Sequence, residues 1–167
     1  MANVKEAHTL HKSRIDLTES VRSKVCELLN DSLAMNFDLY SQIKQAHWNV
    51  KGKDFYQLHL LFDEIAAEYY EYNDMIAERV TALGGYARGT VRMASAKTHL
   101  PEYPEHAPGG HGHLLALAER LALYGKHVRT AIDLCSQYGD ADSADLYTEI
   151  SRNNDKRLWF IESHLVD

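Results

Sequence analysis

The segment HLLFDEIAAEYYEYNDMIAER, residues 59–79, carries the pattern that decides the fold. Its apolar residues recur at steps of three and four, which is the spacing of one face of an α-helix. The repeat extends on both sides and predicts an amphipathic helix over residues 54–83, with Asp54 as its N-cap and Gly84-Gly85 as its stop. The stripe consists of Leu58, Leu61, Phe62, Ile65, Tyr69, Tyr72 and Ile76.

Three further segments show the same helical repeat, over about residues 18–50, over residues 114–135 and from about Asp142 onward. Most Gly and Pro residues fall in residues 83–113, which we interpret as a long connection. Four long amphipathic helices with one long crossover predict an all-α ferritin-like four-helix bundle, and the crossover has room for a short extra helix. We expect one domain over residues 16–167, preceded by a flexible tail over residues 1–15.

Composition limits the classes of function. The chain has 167 residues and a formal net charge of −6, so its surface repels nucleic acid and attracts cations. Cys26 and Cys135 are too few to indicate a disulfide framework. The N-terminus lacks the apolar core of a signal peptide, and no apolar run is long enough to cross a membrane. These features predict a cytoplasmic protein without a membrane partner.

The face of the 54–83 helix opposite the apolar stripe carries His59, Asp63, Asp74 and Glu78. At 1.5 Å per residue, Asp63 and Asp74 point the same way but lie about 16 Å apart, so one chain cannot place both on one ion. If two copies of the helix cross antiparallel, His59 and Asp63 of one copy meet Asp74 and Glu78 of the other. The pattern therefore predicts two equivalent metal sites at a two-fold interface.

His47 completes each predicted site, because the turn at Gly52 brings it to the depth of His59. Two imidazoles and three carboxylates suit Fe(II), Mn(II) or Zn(II), and carboxylates also favour Fe(III). Two simpler interpretations stay open at this point. The acidic pairs are also typical of a solvated helix face, and His47 lies on the apolar stripe of its own helix, where a buried structural histidine is common.

The residues resemble those of the Dps family, the DNA-binding proteins from starved cells, also called mini-ferritins. The matching stretches are KQAHWNVKG (44–52), HLLFDE (59–64), NDMIAERVTALGG (73–85) and SRNNDKRLWFIE (151–162). The resemblance implies a hollow homo-dodecamer that oxidises Fe(II), preferentially with hydrogen peroxide, at di-iron or mono-iron ferroxidase centres and stores a ferric mineral core. The implied catalytic and metal ligands are His47, His59 and Asp63 from one subunit and Asp74 and Glu78 from its neighbour.

The resemblance has further implications. Trp48 is implied as a radical-trapping aromatic beside the centre. Zn or Mn as substitutes for iron follow from the ligand set itself. A Glu-x-x-His motif, which the bundle-internal site of larger ferritins requires, is absent from the sequence.

Acidic residues near the start of the last helix are implied to line an iron-admitting pore, although helix capping explains Asp142 and Asp145 equally well. The pore candidates are Asp140, Asp142, Asp145 and Glu149.

DNA binding is not favoured by the charge balance. In the N-terminal tail, Lys5, Lys12 and Arg14 stand against Glu6 and Asp16, and the C-terminus SHLVD has no basic residues except a histidine. A nucleoid-compacting DNA-binding protein with a secondary metal site is nevertheless the main alternative function, since many weak contacts on one shell add up. An inert four-helix oligomer without metal uptake is the second alternative.

Overall fold

The computed structural model describes residues 10–166, and within that range it contains five α-helices. Their bounds are Glu19–Asn49 (α1), Phe55–Ala82 (α2), Val91–Lys97 (α3), Gly109–Tyr138 (α4) and Ala141–Ser163 (α5). α1 packs along α2, α4 packs along α5, and α1 also contacts α4, so the four long helices form one bundle. The predicted all-α bundle with a long crossover and a short extra helix is confirmed.

Local signals define most helix ends. The Thr18 hydroxyl accepts a hydrogen bond from the backbone N–H of Val21 and caps α1. Gly139 ends α4 with a φ of +79°, a left-handed conformation that glycine adopts without strain. The cap predicted at Asp54 is only partly correct: Asp54 precedes α2, but its side chain makes no capping hydrogen bond.

The core contains an unusual share of tyrosine. Tyr69, Tyr124 and Tyr147 are the largest fully buried side chains, and they lie among leucine, isoleucine and valine residues from all four long helices. The Tyr69 hydroxyl donates to Asn154 Oδ1 over 2.7 Å, which joins α2 to α5 through a satisfied polar contact. Both cysteines are buried and free. None of the helices in the described range is both long and apolar enough to span a bilayer.

The first described residues pack against the end of α2. The backbone N–H of His11 donates to the carbonyl oxygen of Gly84, and Arg22 donates to the carbonyl oxygen of His11. A Cβ at Gly84 would lie 2.4 Å from that His11 oxygen, and Gly84 has a φ of +88°, so only glycine fits there. His8 and the rest of residues 1–9 lie outside the described part of the predicted tail.

One feature of the crossover differs from the sequence pattern. α3 is the short extra helix for which the crossover had room, but α4 begins at Gly109, inside the stretch interpreted as a connection. A Cβ at Gly110 would lie 2.6 Å from Cδ1 of Leu58, so the glycine lets the first turn of α4 approach α2 closely. Packing therefore overrides the low helix propensity of glycine at this position.

Candidate metal centre

His47 and His59 hold each other in place across the turn between α1 and α2. His47 Nδ1 lies 2.8 Å from the carbonyl oxygen of His59, and His59 Nδ1 lies 2.9 Å from the carbonyl oxygen of His47. The two rings stack with their centroids 3.8 Å apart. Because a carbonyl oxygen only accepts hydrogen bonds, both Nδ1 atoms carry the proton, and the lone pair of each neutral ring is on Nε2.

This arrangement is how proteins usually prepare histidine as a metal ligand. A hydrogen bond from the far ring nitrogen fixes the tautomer and the orientation of the ring and raises the basicity of the other nitrogen. His47 is buried, and His59 is half-buried, so the protein limits the movement of both rings. Burial does not make His47 a purely structural histidine, since its Nε2 faces a carboxylate at the surface.

Asp63 supplies that carboxylate. Its Oδ1 lies 3.8 Å from His47 Nε2 and 2.6 Å from the ammonium nitrogen of Lys44. The hydrogen bond from Lys44 lowers the pKa of Asp63, and the positive charge of Lys44 acts in the same direction. Asp63 is therefore ionised at neutral pH, and a cationic group already sits beside it. The ammonium group of Lys44 stands in for the cation that this half-site would bind.

No separate role was predicted for Lys44, although it lies three residues before His47 and therefore on the same face of α1. Its ammonium nitrogen also lies 5.9 Å from the centroid of the Trp48 ring. Trp48 is 66% exposed, so the indole lies on the outside of the bundle. Lys44 thus contacts both the predicted ligand Asp63 and the predicted aromatic neighbour.

Asp74 and Glu78 are exposed on the same helix as Asp63, toward its C-terminal end. The chain places His47 against both His59 and Asp63, and Asp74 lies about 16 Å of helix rise beyond Asp63. Over residues 10–166 of a single copy, no three His, Cys, Asp or Glu side chains form a group that could hold an ion.

The surface between the two ligand groups is open and contains small and aromatic residues. A cavity of about 210 Å³ lies beside Asp63, and Tyr40 and Tyr70 line it in a tilted contact with ring centroids 5.9 Å apart. Ala66 and Ala67 form its floor. Tyr70 is 61% exposed. An exposed aromatic patch beside small residues is typical of a surface that packs against another protein chain.

The acidic residues at the start of α5 have different surroundings. Asp140 is buried, accepts from Arg79 over 2.7 Å and accepts from the backbone N–H and hydroxyl of Ser143. These contacts make it the N-cap of α5 and leave no free oxygen facing solvent. Asp142, Asp145 and Glu149 are exposed. Asp140 therefore serves as a cap, and Asp142, Asp145 and Glu149 remain the exposed candidates for a pore lining.

The chain was compared with known proteins. A family model described as ferritin-like domain matches residues 26–167. The chain is 43% identical over 157 residues to the DNA protection during starvation protein of Agrobacterium fabrum, covering 94% of this chain and 97% of the relative.

Solved structures of Dps proteins are also similar to this chain. DpsC from Streptomyces coelicolor superposes with a TM-score of 0.92 at 35% identity, covering 99% of this chain and 97% of that one. An archaeal Dps homologue from Halobacterium salinarum superposes with a TM-score of 0.90 at 26% identity, covering 99% of this chain and 92% of that one.

Proposed function

The chain belongs to the Dps, or mini-ferritin, family of ferritin-like proteins, and we propose on this premise that it is a ferroxidase and an iron-storage protein. It binds Fe(II) at centres shared by two copies, oxidises it with hydrogen peroxide as the preferred oxidant and stores Fe(III) as a mineral. The storage compartment is the cavity of a homo-dodecamer. The relative from Agrobacterium fabrum is named for protecting DNA, and removal of Fe(II) together with peroxide is a chemical route to such protection.

The reciprocal pairing of His47 and His59 is the observation that carries this proposal. It leaves the Nε2 atoms of both rings free to bind a cation, and it places Nε2 of His47 3.8 Å from Oδ1 of Asp63. Imidazole nitrogen and carboxylate oxygen are ligands suited to Fe(II), and the same set also accepts Zn(II) or Mn(II). Asp74 and Glu78 of the neighbouring copy add two carboxylates, which favour the ferric product.

The ligand residues have distinct tasks in this reaction. His47 and His59 orient the bound Fe(II) through their Nε2 atoms, while each Nδ1 keeps its proton and donates it in a hydrogen bond to a backbone carbonyl oxygen. Asp63 exchanges its contact with the Lys44 ammonium for a contact with the incoming cation. Asp142, Asp145 and Glu149 attract Fe(II) to the shell from solution through their negative charge.

The test is the initial rate of Fe(II) oxidation with and without hydrogen peroxide, together with the mass of the assembly. We expect a dodecamer, faster oxidation with peroxide, and loss of both reactions in His59→Ala with Asp63→Ala. A matched control replaces an exposed histidine and an exposed aspartate away from the site, His164→Ala with Asp133→Asn, and keeps the wild-type rate. Unchanged oxidation in the His59 and Asp63 variant, or a monomeric wild type, contradicts the proposal.

A further inference from the structure

Tyr70 is an exposed aromatic residue in the middle of the α2 face that carries Asp63 and Asp74. At about 100° per residue it points within about 20° of Asp63, two turns further along the helix. Its ring packs against Tyr40 of α1 on one side, with the ring centroids 5.9 Å apart, but 61% of the residue is exposed. A large apolar ring is therefore left in solvent on the face that carries the ligand residues.

The cavity of about 210 Å³ beside Asp63 adjoins this ring. Tyr40 and Lys44 of α1 form one wall of the cavity, and Ala66 and Ala67 line it from α2. Two successive alanines keep this part of the helix surface low, so a bulky side chain of another molecule can approach the backbone closely. One face of the chain thus presents both a protruding ring and a hollow, which is what a self-complementary contact between two identical chains requires.

The register of the proposed shared centre determines what Tyr70 meets in the second copy. Asp63 faces the partner's Asp74, so a two-fold axis passes midway between these two positions of the helix. By the same rule, Tyr70 faces the partner's Ala67. Neither Tyr70 nor Ala67 was used to set the register, yet the register places the largest side chain at the centre of this face opposite the smallest.

The same axis determines on which side of the helix the ring enters. A two-fold axis perpendicular to two antiparallel helices keeps the α1 side of one copy next to the α1 side of the other. Tyr70 therefore enters the partner's cavity beside the wall formed by Tyr40 and Lys44. The two Tyr70 residues are then offset by three positions, or about 4.5 Å along the helix axes, which brings their rings within the range of favourable aromatic contacts.

We propose that Tyr70 anchors the two-fold pair by inserting its ring into the partner's cavity, and that it is thereby a positioning residue for the shared metal centre. The inference rests on the proposed function, which supplies the register. Aromatic side chains that fill a pocket at the middle of a contact typically carry much of its binding energy. Tyr70 supplies no ligand in the predicted set, so it acts on the centre only by holding the second α2 in place.

The first test measures the distance between the two copies with a thiol cross-link. Ala67→Cys places a thiol next to its own copy across the axis, about 4.5 Å away along the helices, and keeps Tyr70 intact. The native cysteines, Cys26 and Cys135, are both buried and should not compete. Treatment of the assembly with a short bismaleimide should give a covalent dimer on a denaturing gel.

A matched control uses an exposed residue near the start of the same helix. Tyr56 is 66% exposed, but its copy in the partner would lie about 38 Å away along the helix axes. Tyr56→Cys should therefore react with the reagent and give no covalent dimer. A Tyr56→Cys dimer that forms as fast as the Ala67→Cys dimer would contradict the register.

The anchor itself is tested by adding changes at Tyr70 to the Ala67→Cys chain. Tyr70→Ala should slow cross-linking several-fold, because the pair loses the ring that holds it. Tyr70→Phe should restore the rate, because the ring still fills the cavity without its hydroxyl. Tyr70→Ala removes little packing within a single chain, since the ring is mostly exposed there.

A second measurement tests the positioning role at the centre. In calorimetric titration with Zn(II), Tyr70→Ala alone should weaken binding by roughly 10- to 30-fold, although every predicted ligand is retained. Tyr70→Phe should bind Zn(II) as wild type does. Wild-type affinity in Tyr70→Ala overturns the positioning role.

An Ala67→Cys chain that forms no covalent dimer leaves this face to a different protein and overturns the inference, as does a cross-linking rate that does not respond to Tyr70→Ala. If Tyr70→Ala fails to fold, the comparison of Ala67→Cys with Tyr56→Cys decides the matter. Peroxide-dependent Fe(II) oxidation by wild type in the same experiment leaves the ferroxidase proposal intact. Its absence, with the covalent dimer present, overturns the proposed function instead.

Discussion

Mixing two inactive variants tests directly whether each centre is shared by two chains. His59→Ala with Asp63→Ala removes one half of the centre, and Asp74→Ala with Glu78→Ala removes the other half. The two halves lie on the same helix but about 16 Å apart, so they cannot serve the same ion within one chain. Each variant alone should therefore form assemblies without ferroxidase activity.

Co-assembly of the two variants should restore a defined fraction of the activity. In a pair made of one copy of each, one centre receives both intact halves, and the other centre receives both damaged halves. Random pairing of equal amounts makes about half of the pairs mixed, so about a quarter of all centres are intact. We expect about a quarter of the wild-type rate per subunit.

The two variants are co-expressed with different affinity tags. Assemblies that carry both tags are purified, and their mass is measured. Initial rates of Fe(II) oxidation with hydrogen peroxide are compared with those of each variant and of wild type. In the control, the two variants are mixed only after each has assembled separately. Without exchange of subunits, this mixture should have no activity. A co-assembled sample as inactive as its parents, or a single variant with the wild-type rate, would refute the shared centre.

Further predictions concern single contacts and DNA. Lys44→Met should tighten Zn(II) binding by roughly 5- to 30-fold in calorimetric titration, because removal of an ammonium about 4 Å from the site removes about 1–2 kcal/mol of repulsion; unchanged or weaker binding would contradict this. Burial raises the pKa of Glu68, but hydrogen bonds from Arg157 and Asn153 outweigh it and lower the pKa overall. A carboxyl whose pKa is lowered on folding stabilises the protein above its unfolded pKa and loses that effect as the pH falls through the folded value. Arg157→Met should therefore lower the free energy of unfolding, measured by denaturant titration, by about 1–3 kcal/mol at pH 7. Below about pH 4 the difference between the variant and wild type should be smaller. Asp140→Ala should lower the free energy of unfolding by about 2–5 kcal/mol in denaturant titrations, because it removes both the α5 cap and the ion pair with Arg79, whereas Asp140→Asn keeps a capping oxygen and should cost less. Gel retardation of DNA should be absent at near-physiological salt, because the net charge is −6; a shift that persists in Asp74→Ala would favour the nucleoid-compacting alternative.

The bundle was predictable because its long helices have continuous apolar stripes, such as the one centred on Ile65. α3 was predicted only as a possibility. It has seven residues, of which only Ala94 is buried, so its sequence shows no measurable apolar repeat. The early start of α4 was not predictable, because Gly110 disfavours a helix and is helical only through its close approach to Leu58. Tertiary contacts of this kind are not visible in a local sequence pattern.

The candidate centre was predictable as a set of residues but not as chemistry. Spacing placed His59 and Asp63 one turn apart and His47 at the same depth, and the structure brings these three together. The tautomers of the histidines depend on which carbonyl oxygen faces each Nδ1, and this is decided by the register of α1 against α2. The contact between Lys44 and Asp63 depends on side-chain conformations that spacing does not determine.

The proposed division of the centre between two chains has a consequence for assembly. Each half-site alone is a poor cation site: Lys44 competes for Asp63 in one half, and Asp74 and Glu78 offer only two exposed carboxylates in the other. A cation that bridges both halves binds the paired state in preference to the separate chains, and by mass action it stabilises that pair. Metal binding should therefore strengthen the two-fold contact, and dilution should weaken metal binding. The His47–His59 pair makes this coupling effective, because its rigid Nε2 atoms need no reordering when the partner arrives.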